Sequence, residues 1–259
     1  MRVLVACEYS GRVREAFAAL GHDAWSCDLL PADDGSPNHF QEDCIEVIQR
    51  ERWDLIIMHP PCTALAVSGN AWYGQGMPKN DERIEAIEWT THLGETAKAH
   101  ATSVCMENPV GVLPFKPTQY VQPWMFGHPE SKKTGFWLHN LPPLTETNNV
   151  KAEMDKLPKN KQQRLHYLPP SADRWKIRST TFQGIADAMA DQWGSATELF
   201  GFTVIDRDGG EMFTSDPEYP SYKEAERAGD HSLCDLNGGS LEVWLWDESL
   251  EDVTKTWEV

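Results

Sequence analysis

No stretch of apolar residues in this chain approaches the roughly 18–20 needed to cross a bilayer, so no membrane-spanning helix is expected. No Cys-x-x-Cys pair occurs. The six cysteines, Cys7, Cys27, Cys44, Cys62, Cys105 and Cys234, are scattered singly. That spacing speaks against a zinc site and against a disulfide framework, so free thiols and no bound metal are expected. Basic residues are scarce: 23 Lys and Arg stand against 40 Asp and Glu, a formal net charge of −17. Taken as one sum, that charge argues against a polyanionic partner. Internal repeats and low-complexity segments are absent, which excludes solenoids and compositionally disordered tracts. The opening MRVLVACEYSG holds a short apolar run without a small-residue cleavage pattern. It reads as a first strand rather than a signal peptide, and a cytoplasmic location is expected.

What is present fits a soluble globular chain of 259 residues, 40% hydrophobic and 24% charged. That length holds one α/β domain with a substantial core and a small appendage. The charge is unevenly spread. Residues 1–110 carry a net −9, residues 111–180 a net +6 and residues 181–259 a net −14. A nucleic-acid-facing surface is compatible with this distribution if it is built from the middle segment.

Strand and helix patterns alternate through residue 110. Arg2–Cys7 reads as a buried strand followed by the polar turn Glu8-Tyr9-Ser10-Gly11. Ser10 or Gly11 would cap a helix over Arg12–Leu20, with Val13, Phe17 and Leu20 on its inner face, and Gly21 would close it. Asp23–Leu29 reads as a second strand, Cys44–Arg50 as a short helix and Trp53–Met58 as a third strand stopped by Pro60-Pro61. Ser68–Asn80 reads as a Gly-rich loop carrying Trp72 and Tyr73. Asp81–His100 follows as a long helix with Ile84, Ile87 and Leu93 on one side. Thr102–Met106 is a further strand, ending at Glu107-Asn108-Pro109. This order predicts a doubly wound, mostly parallel sheet, whose sites lie beyond the carboxyl ends of its strands. Glu8, Asp28, Cys62 and Glu107 all fall at such ends. Past residue 110 the chain turns proline-rich and basic, with a strand at Phe136–Leu138. A helix over Thr180–Gly194 follows, capped by Thr181, with Ile185, Met189 and Trp193 four residues apart. After Gly201 a small acidic α+β module is expected, with strands at Phe202–Ile205 and Leu241–Trp246 around a helix at Tyr222–Ala228.

The pairing of His59-Pro60-Pro61-Cys62-Thr63 with Glu107-Asn108-Pro109, at the ends of successive strands, is the most specific signal. With it, the chain resembles the cytosine carbon-5 DNA methyltransferase family, in the compact form common among phage and prophage proteins. The resemblance covers about residues 1–194. It implies a Rossmann-like domain that binds S-adenosylmethionine. Glu8, Tyr9, Ser10 and Gly11 would form the cofactor loop, with Asp28 at the ribose and Leu29 beside it among the cofactor-binding residues. Asp43 would lie near the adenine. Pro60 belongs to the nucleophile loop, and Gly184 and Ile185 open the late helix that completes the pocket. The segment Gly127-His128-Pro129-Glu130-Ser131-Lys132-Lys133-Thr134 lies opposite the family's Gly-x-Pro-Gln-x-Arg-x-Arg motif. Lys132 stands where a bidentate arginine is usual.

The implied chemistry explains the residue types. Carbon 5 of cytosine is not itself nucleophilic. A thiolate, here Cys62, adds to carbon 6 and gives carbon 5 enamine character. A carboxyl group, here Glu107, hydrogen-bonds N3 as charge develops there. Cys62, Glu107 and Lys132 are therefore the expected catalytic residues. The partner would be cytosine-containing DNA, held through residues 111–180, where Lys151, Lys156, Lys159, Lys161, Arg164, Arg174, Lys176 and Arg178 offer phosphate contacts. Residues 1–198 would be the catalytic domain, 139–178 within it a shortened target-recognition segment, and 199–259 an accessory module. Such a short recognition segment implies relaxed or short-sequence specificity. Two alternatives are open: the same chemistry on a cytidine nucleotide or RNA, and a degenerate nucleic-acid-related binding protein. Ordinary structural roles also exist for several of these residues. Asp28 and Asp43 are common helix-cap types, Cys7, Cys27 and Cys105 suit a core, and Trp72 and Tyr73 could either cover a flipped base or pack on the sheet.

Overall fold

The structure, a computed structural model, describes residues 1–194 together with the strands at 199–205, 211–214, 240–247 and 252–258. Two compact units, Met1–Gly194 and Ser195–Val259, divide the chain. The first is built on strands β1 (Arg2–Ala6), β2 (Asp23–Cys27), β3 (His39–Phe40), β4 (Trp53–Met58), β5 (Ala101–Pro109), β6 (Gln119–Val121) and β7 (Thr134–His139). They form one seven-stranded sheet in the order β3-β2-β1-β4-β5-β7-β6. β3, β2, β1, β4 and β5 run parallel. β7 and β6 complete the edge antiparallel. The expected α/β sheet with mostly parallel strands is therefore present. Its order reverses direction at β1, whose neighbours are β2 and β4, and crevices in such sheets open at that switch point.

Burial explains the strand sequences. Val3 to Ala6 of β1 and Leu55 to Met58 of β4 are fully buried, as near-continuous apolar runs are when both faces of a parallel sheet are covered. On one face, α1 (Arg12–Ala19) and α8 (Gln183–Trp193) pack Val13, Phe17, Ile185, Met189 and Trp193 against Val3, Val5, Leu55 and Ile57. On the other, α2 (Cys44–Gln49) and α4 (Asn80–His100) pack Val47, Ile48, Leu93 and Ala97 against Leu4, Ile56 and Met58. Short helices α3 (Asn70–Tyr73), α5 (Lys151–Met154), α6 (Lys159–Gln162) and α7 (Arg174–Ser179) lie in the connections.

Gly11 stands at the N-cap of α1, one of the two expected positions, with φ 70°, and Ser10 Oγ accepts from the Arg12 N–H at 3.4 Å. The N–H groups of Val13 (2.8 Å) and Arg14 (3.2 Å) donate to the Glu8 carboxylate. Several other local expectations are corrected. α8 begins at Gln183 behind Phe182, without a cap from Thr181. Leu20, at the end of α1, is exposed, the buried face of that helix being Val13, Arg14, Ala16 and Phe17. Ile84 is exposed because the inner face of α4 is made by Arg83, Thr90, Leu93, Thr96 and Ala97. Residues 68–80 are not a plain loop, since a 3₁₀ turn at Val67–Gly69 and α3 lie there. Cys7 is not in a buried strand. It is a half-buried turn residue with φ 59° just past β1.

In the second unit, β8 (Leu199–Ile205), β9 (Glu211–Thr214), β10 (Ser240–Asp247) and β11 (Asp252–Glu258) form an antiparallel sheet in the order β11-β10-β8-β9. The helix expected at residues 222–228 lies outside the described residues. Among the described residues, no helix is long and apolar enough to cross a membrane.

Candidate active site

β4 and β5 are hydrogen-bonded neighbours, with Met58 paired to Met106. The segments leaving their carboxyl ends therefore emerge side by side. β4 must stop where Pro60 and Pro61 remove two ladder donors. The His59 Nδ1–H donates to Glu107 Oε2 at 3.0 Å. The Asn108 side-chain amide donates to the Pro60 carbonyl at 2.8 Å. Beyond Cys62 the chain turns tightly, with the N–H groups of Leu65 and Ala66 returning to the Cys62 carbonyl. It then pairs with the stretch after Glu107-Asn108-Pro109 through an Ala66–Gly111 bridge. That approach leaves no room for a side chain at Gly111, whose Cβ would lie 2.5 Å from the Leu65 carbonyl oxygen.

Arg83 braces the same loop from α4. Its guanidinium donates to the carbonyls of Ala64 (2.6 Å) and Ala66 (3.2 Å) and to Asn70 Oδ1 (2.8 Å). The residue is only 7% exposed. A buried charge is tolerated there because several acceptors satisfy it.

The electrostatics of the two central groups are linked. Burial pushes the Glu107 carboxyl up, but the His59 hydrogen bond and the positive charges of Lys132 and His59 outweigh it. Glu107 consequently lies below the usual carboxylate range. Cys62 goes the other way. Burial and the Glu107 charge raise its thiol, and Lys132 and Arg178 only partly offset them. Lys132 is held in place by its Nζ donating to the Arg178 carbonyl at 3.1 Å. A small cavity of about 10 Å³, room for about one water, is lined by Glu107, Lys132, Thr181, Phe182 and Ile185 among others. Glu107, Lys132 and Ile185 thus line one cavity, and the charges of Glu107 and Lys132 reach Cys62.

No model of a known protein family matches this chain, and no curated protein matches it.

The residues expected around a cofactor have divided roles. Glu8 is 4% exposed and occupied as the cap of α1. Gly11 faces its own chain, since a Cβ there would overlap the ion pair of Arg14 and Asp34. Tyr9 is covered by α7. Its hydroxyl lies 3.2 Å from Ser179 Oγ, its ring 5.5 Å from that of Trp175, and Lys176 stands over it. Ser10 donates to Glu8 at 3.2 Å. Asp28 is half-buried, with its pKa raised mainly by burial, and accepts from the Leu30 N–H at 2.9 Å. Beside it Leu29 is 72% exposed. Asp43 caps α2 through one oxygen, leaving the other available. Gly184 packs so closely on the Phe126 carbonyl that no side chain fits, and its N–H donates to His128 Nε2 at 3.0 Å. The Gly127-His128 segment and the Gly184-Ile185 turn are thereby joined.

Sequence reasoning gave no role to His59, Asn108, Arg83 or α7. His59 could have been suspected from its place at the strand end before Pro-Pro-Cys. Arg83 carried no signal, since an arginine within a helix reads as a surface charge. The basic island is partly consumed internally: Lys151 pairs with Asp155, Arg164 with Glu130 and Lys176 with Asp33, while Arg174 holds the carbonyls of Leu168 and His166. Lys156, Lys159, Lys161 and Arg178 are left as exposed cations. Trp72 is 63% exposed and does not pack on the sheet.

Proposed function

We propose that this chain transfers a methyl group from S-adenosylmethionine to carbon 5 of cytosine in DNA, through a covalent adduct on Cys62. The observation that carries the reading is the tie between the two loops. His59 with Glu107, and Asn108 with Pro60, hold a carboxyl group and a Pro-Pro-Cys turn at one sheet edge, with the Lys132 charge acting on both.

Residues available to a cofactor lie across the switch point. Asp28, with an oxygen available beyond its bond to Leu30, suits a ribose hydroxyl pair, and the exposed Leu29 suits an adenine face. Asp43 offers its second oxygen to an exocyclic amine. Glu8 and Gly11 act one step back, fixing the turn rather than touching a ligand. When bound, the cofactor supplies an electrophilic methyl group.

The chain's own groups prepare the cytosine. Cys62 Sγ forms a bond to carbon 6, the 5,6 double bond breaks, and its electrons delocalise over carbon 5 and N3. The proton that leaves the Cys62 thiol passes through Glu107 to N3, where it neutralises the charge that develops there. While Glu107 holds that proton, the negative charge that raises the Cys62 thiol is removed. Before attack, burial and the Glu107 charge keep Cys62 as a thiol rather than a standing thiolate. Once carbon 5 has been substituted, loss of its proton expels Cys62 and restores the aromatic ring. To reach Cys62 in a duplex, the target nucleotide has to be flipped out of the stack. Lys156, Lys159, Lys161 and Arg178 are the cations available to hold its phosphates.

The test is transfer of a tritiated methyl group to duplex DNA, RNA and cytidine nucleotides supplied in parallel. Label in DNA, with a stable protein adduct on 5-fluorocytosine DNA that Cys62→Ser abolishes, is the expected result. Label confined to RNA or nucleotide would replace the substrate and keep the chemistry. The reading fails if no substrate is labelled while Cys62→Ser leaves cofactor binding intact.

A further inference from the structure

Away from Cys62, three thiols meet at the carboxyl ends of β1 and β2 and the start of α2. Cys7 Sγ lies 3.6 Å from Cys44 Sγ, and Cys27 is also hydrogen-bonded to Cys44. Each follows or precedes one carboxylate of the cofactor edge in the chain: Cys7 before Glu8, Cys27 before Asp28, Cys44 after Asp43. The cluster is not a metal site, since no group of three or more His, Cys, Asp or Glu among the described residues is arranged to hold an ion.

We propose that this cluster is an oxidation site, at which Cys44 reacts with a hydroperoxide and Cys7 closes the product into a Cys7–Cys44 disulfide. Cys7 is in contact with Cys44, and hydrogen bonding with Cys7 and Cys27 pulls the Cys44 pKa well below that of an ordinary thiol, while theirs are pushed up. Cys44 is therefore the nucleophile, with a resolving thiol in contact; at 6% exposure it admits only a small oxidant such as hydrogen peroxide. Its sulfur attacks one peroxide oxygen, the O–O bond breaks, and sulfenic acid and water form. Cys7 then attacks the Cys44 sulfur, the S–O bond breaks, and a second water leaves with the Cys7 proton. Two thiols lose two electrons and one hydrogen peroxide becomes two waters. Bond formation requires the sulfurs to approach to about 2.0 Å. Cys7 is the partner that can move, being a half-buried turn residue, whereas Cys27 is fully buried within the sheet. The bridge would pin the turn before Glu8 to the helix start after Asp43. Its consequence for the cofactor edge rests on the proposed function, but its formation does not.

The full chain is treated with hydrogen peroxide near equimolar ratio, the remaining thiols are alkylated, and peptides are mapped by mass. A Cys7–Cys44 peptide, reversed by dithiothreitol, is expected, with Cys105 unmodified. Cys7→Ser should give no bridge and a dimedone-tagged Cys44 instead. Oxidation of Cys62 or Cys105 ahead of Cys44, or a Cys27–Cys44 bridge, overturns the proposal. The wild-type map alone decides it, so a folding defect in the variant leaves the test intact.

Discussion

Replacing Gly184 by alanine and Gly94 by alanine makes the same chemical change twice, and opposite outcomes are expected. At Gly184, near the start of α8, the new Cβ would overlap the Phe126 carbonyl oxygen and press on His128 Nε2 at 3.2 Å. The nearest obstacle is the Phe126 backbone, with the His128 ring beside it, so α8 or the 126–128 segment has to move. Overpacking of that kind costs about 1–3 kcal/mol. Loss of the 3.0 Å bond from Gly184 N–H to His128 adds about 1 kcal/mol. Reduced freedom of the unfolded chain returns about 0.4–1 kcal/mol. The net is a loss of roughly 1–3.5 kcal/mol. Gly94 lies inside α4, and a Cβ there meets nothing within 4 Å. Only the propensity gain and the unfolded-state effect remain, a stabilisation of about 0.4–1 kcal/mol. Urea denaturation followed by circular dichroism reads both. With a slope of about 2–3 kcal/mol/M, Gly184→Ala should lower the midpoint by about 1 M, and Gly94→Ala should raise it slightly. A Gly184→Ala midpoint within about 0.2 M of wild type would refute the claim that close packing on Phe126 requires this glycine.

Alkylation of Cys62 by iodoacetamide should accelerate with pH beyond the ordinary thiol range, because burial and Glu107 raise its pKa. Lys132→Met should slow it at fixed pH and Glu107→Gln should speed it, read from the mass of the Cys62 peptide; the reverse order would remove the proposed coupling. Arg83→Met strips three acceptors of their donor and should cost about 2–4 kcal/mol by urea denaturation. Hydrogen exchange should rise across residues 64–70, and an unchanged exchange pattern would show that Arg83 does not brace the loop. Glu107 has a depressed folded pKa, so its contribution to stability is complete above the unfolded value of about 4.3 and fades as pH falls through the folded one. The stability difference between wild type and Glu107→Gln should accordingly stay level from about pH 7 to pH 5 and shrink below about pH 4. A difference that shrinks near neutral pH instead would contradict the depressed value.

The sheet was legible in the sequence because apolar strands buried on both faces leave a strong local pattern. Trp53–Met58 is bounded by Pro60-Pro61 on one side and a charged segment on the other, and the structure ends β4 at that point. Legibility failed where a side chain serves a distant partner. Gly11 is the cap position, as its place before α1 suggests, but it has no side chain to offer, and Glu8, three residues earlier, satisfies two N–H groups at once. Lys176 looks like one more phosphate ligand in a basic run, yet Asp33, 143 residues earlier, claims it. Neither pairing has a periodicity, so neither could be read along the chain. The thiol cluster was hidden for the same reason: Cys7, Cys27 and Cys44 become neighbours only once β1, β2 and α2 are assembled.

Topology explains why Glu8, Asp28, Cys62 and Glu107 share one edge, but not which of them act. The distinction comes from how each group's bonds are already committed. Glu8 has both oxygens engaged by the backbone of α1 and is almost sealed from solvent, so it fixes the turn. Glu107 is anchored to His59 through only one oxygen, and its charge reaches Cys62. Its protonation is therefore felt by the thiol beside it. Under the proposed chemistry this coupling sets an order of events. A base whose N3 cannot take up the proton released by the Cys62 thiol leaves the charge of the adduct unneutralised, so it is disfavoured at the nucleophilic step itself. Thymine, which already carries a proton on N3 where cytosine carries a lone pair, would be disfavoured in this way.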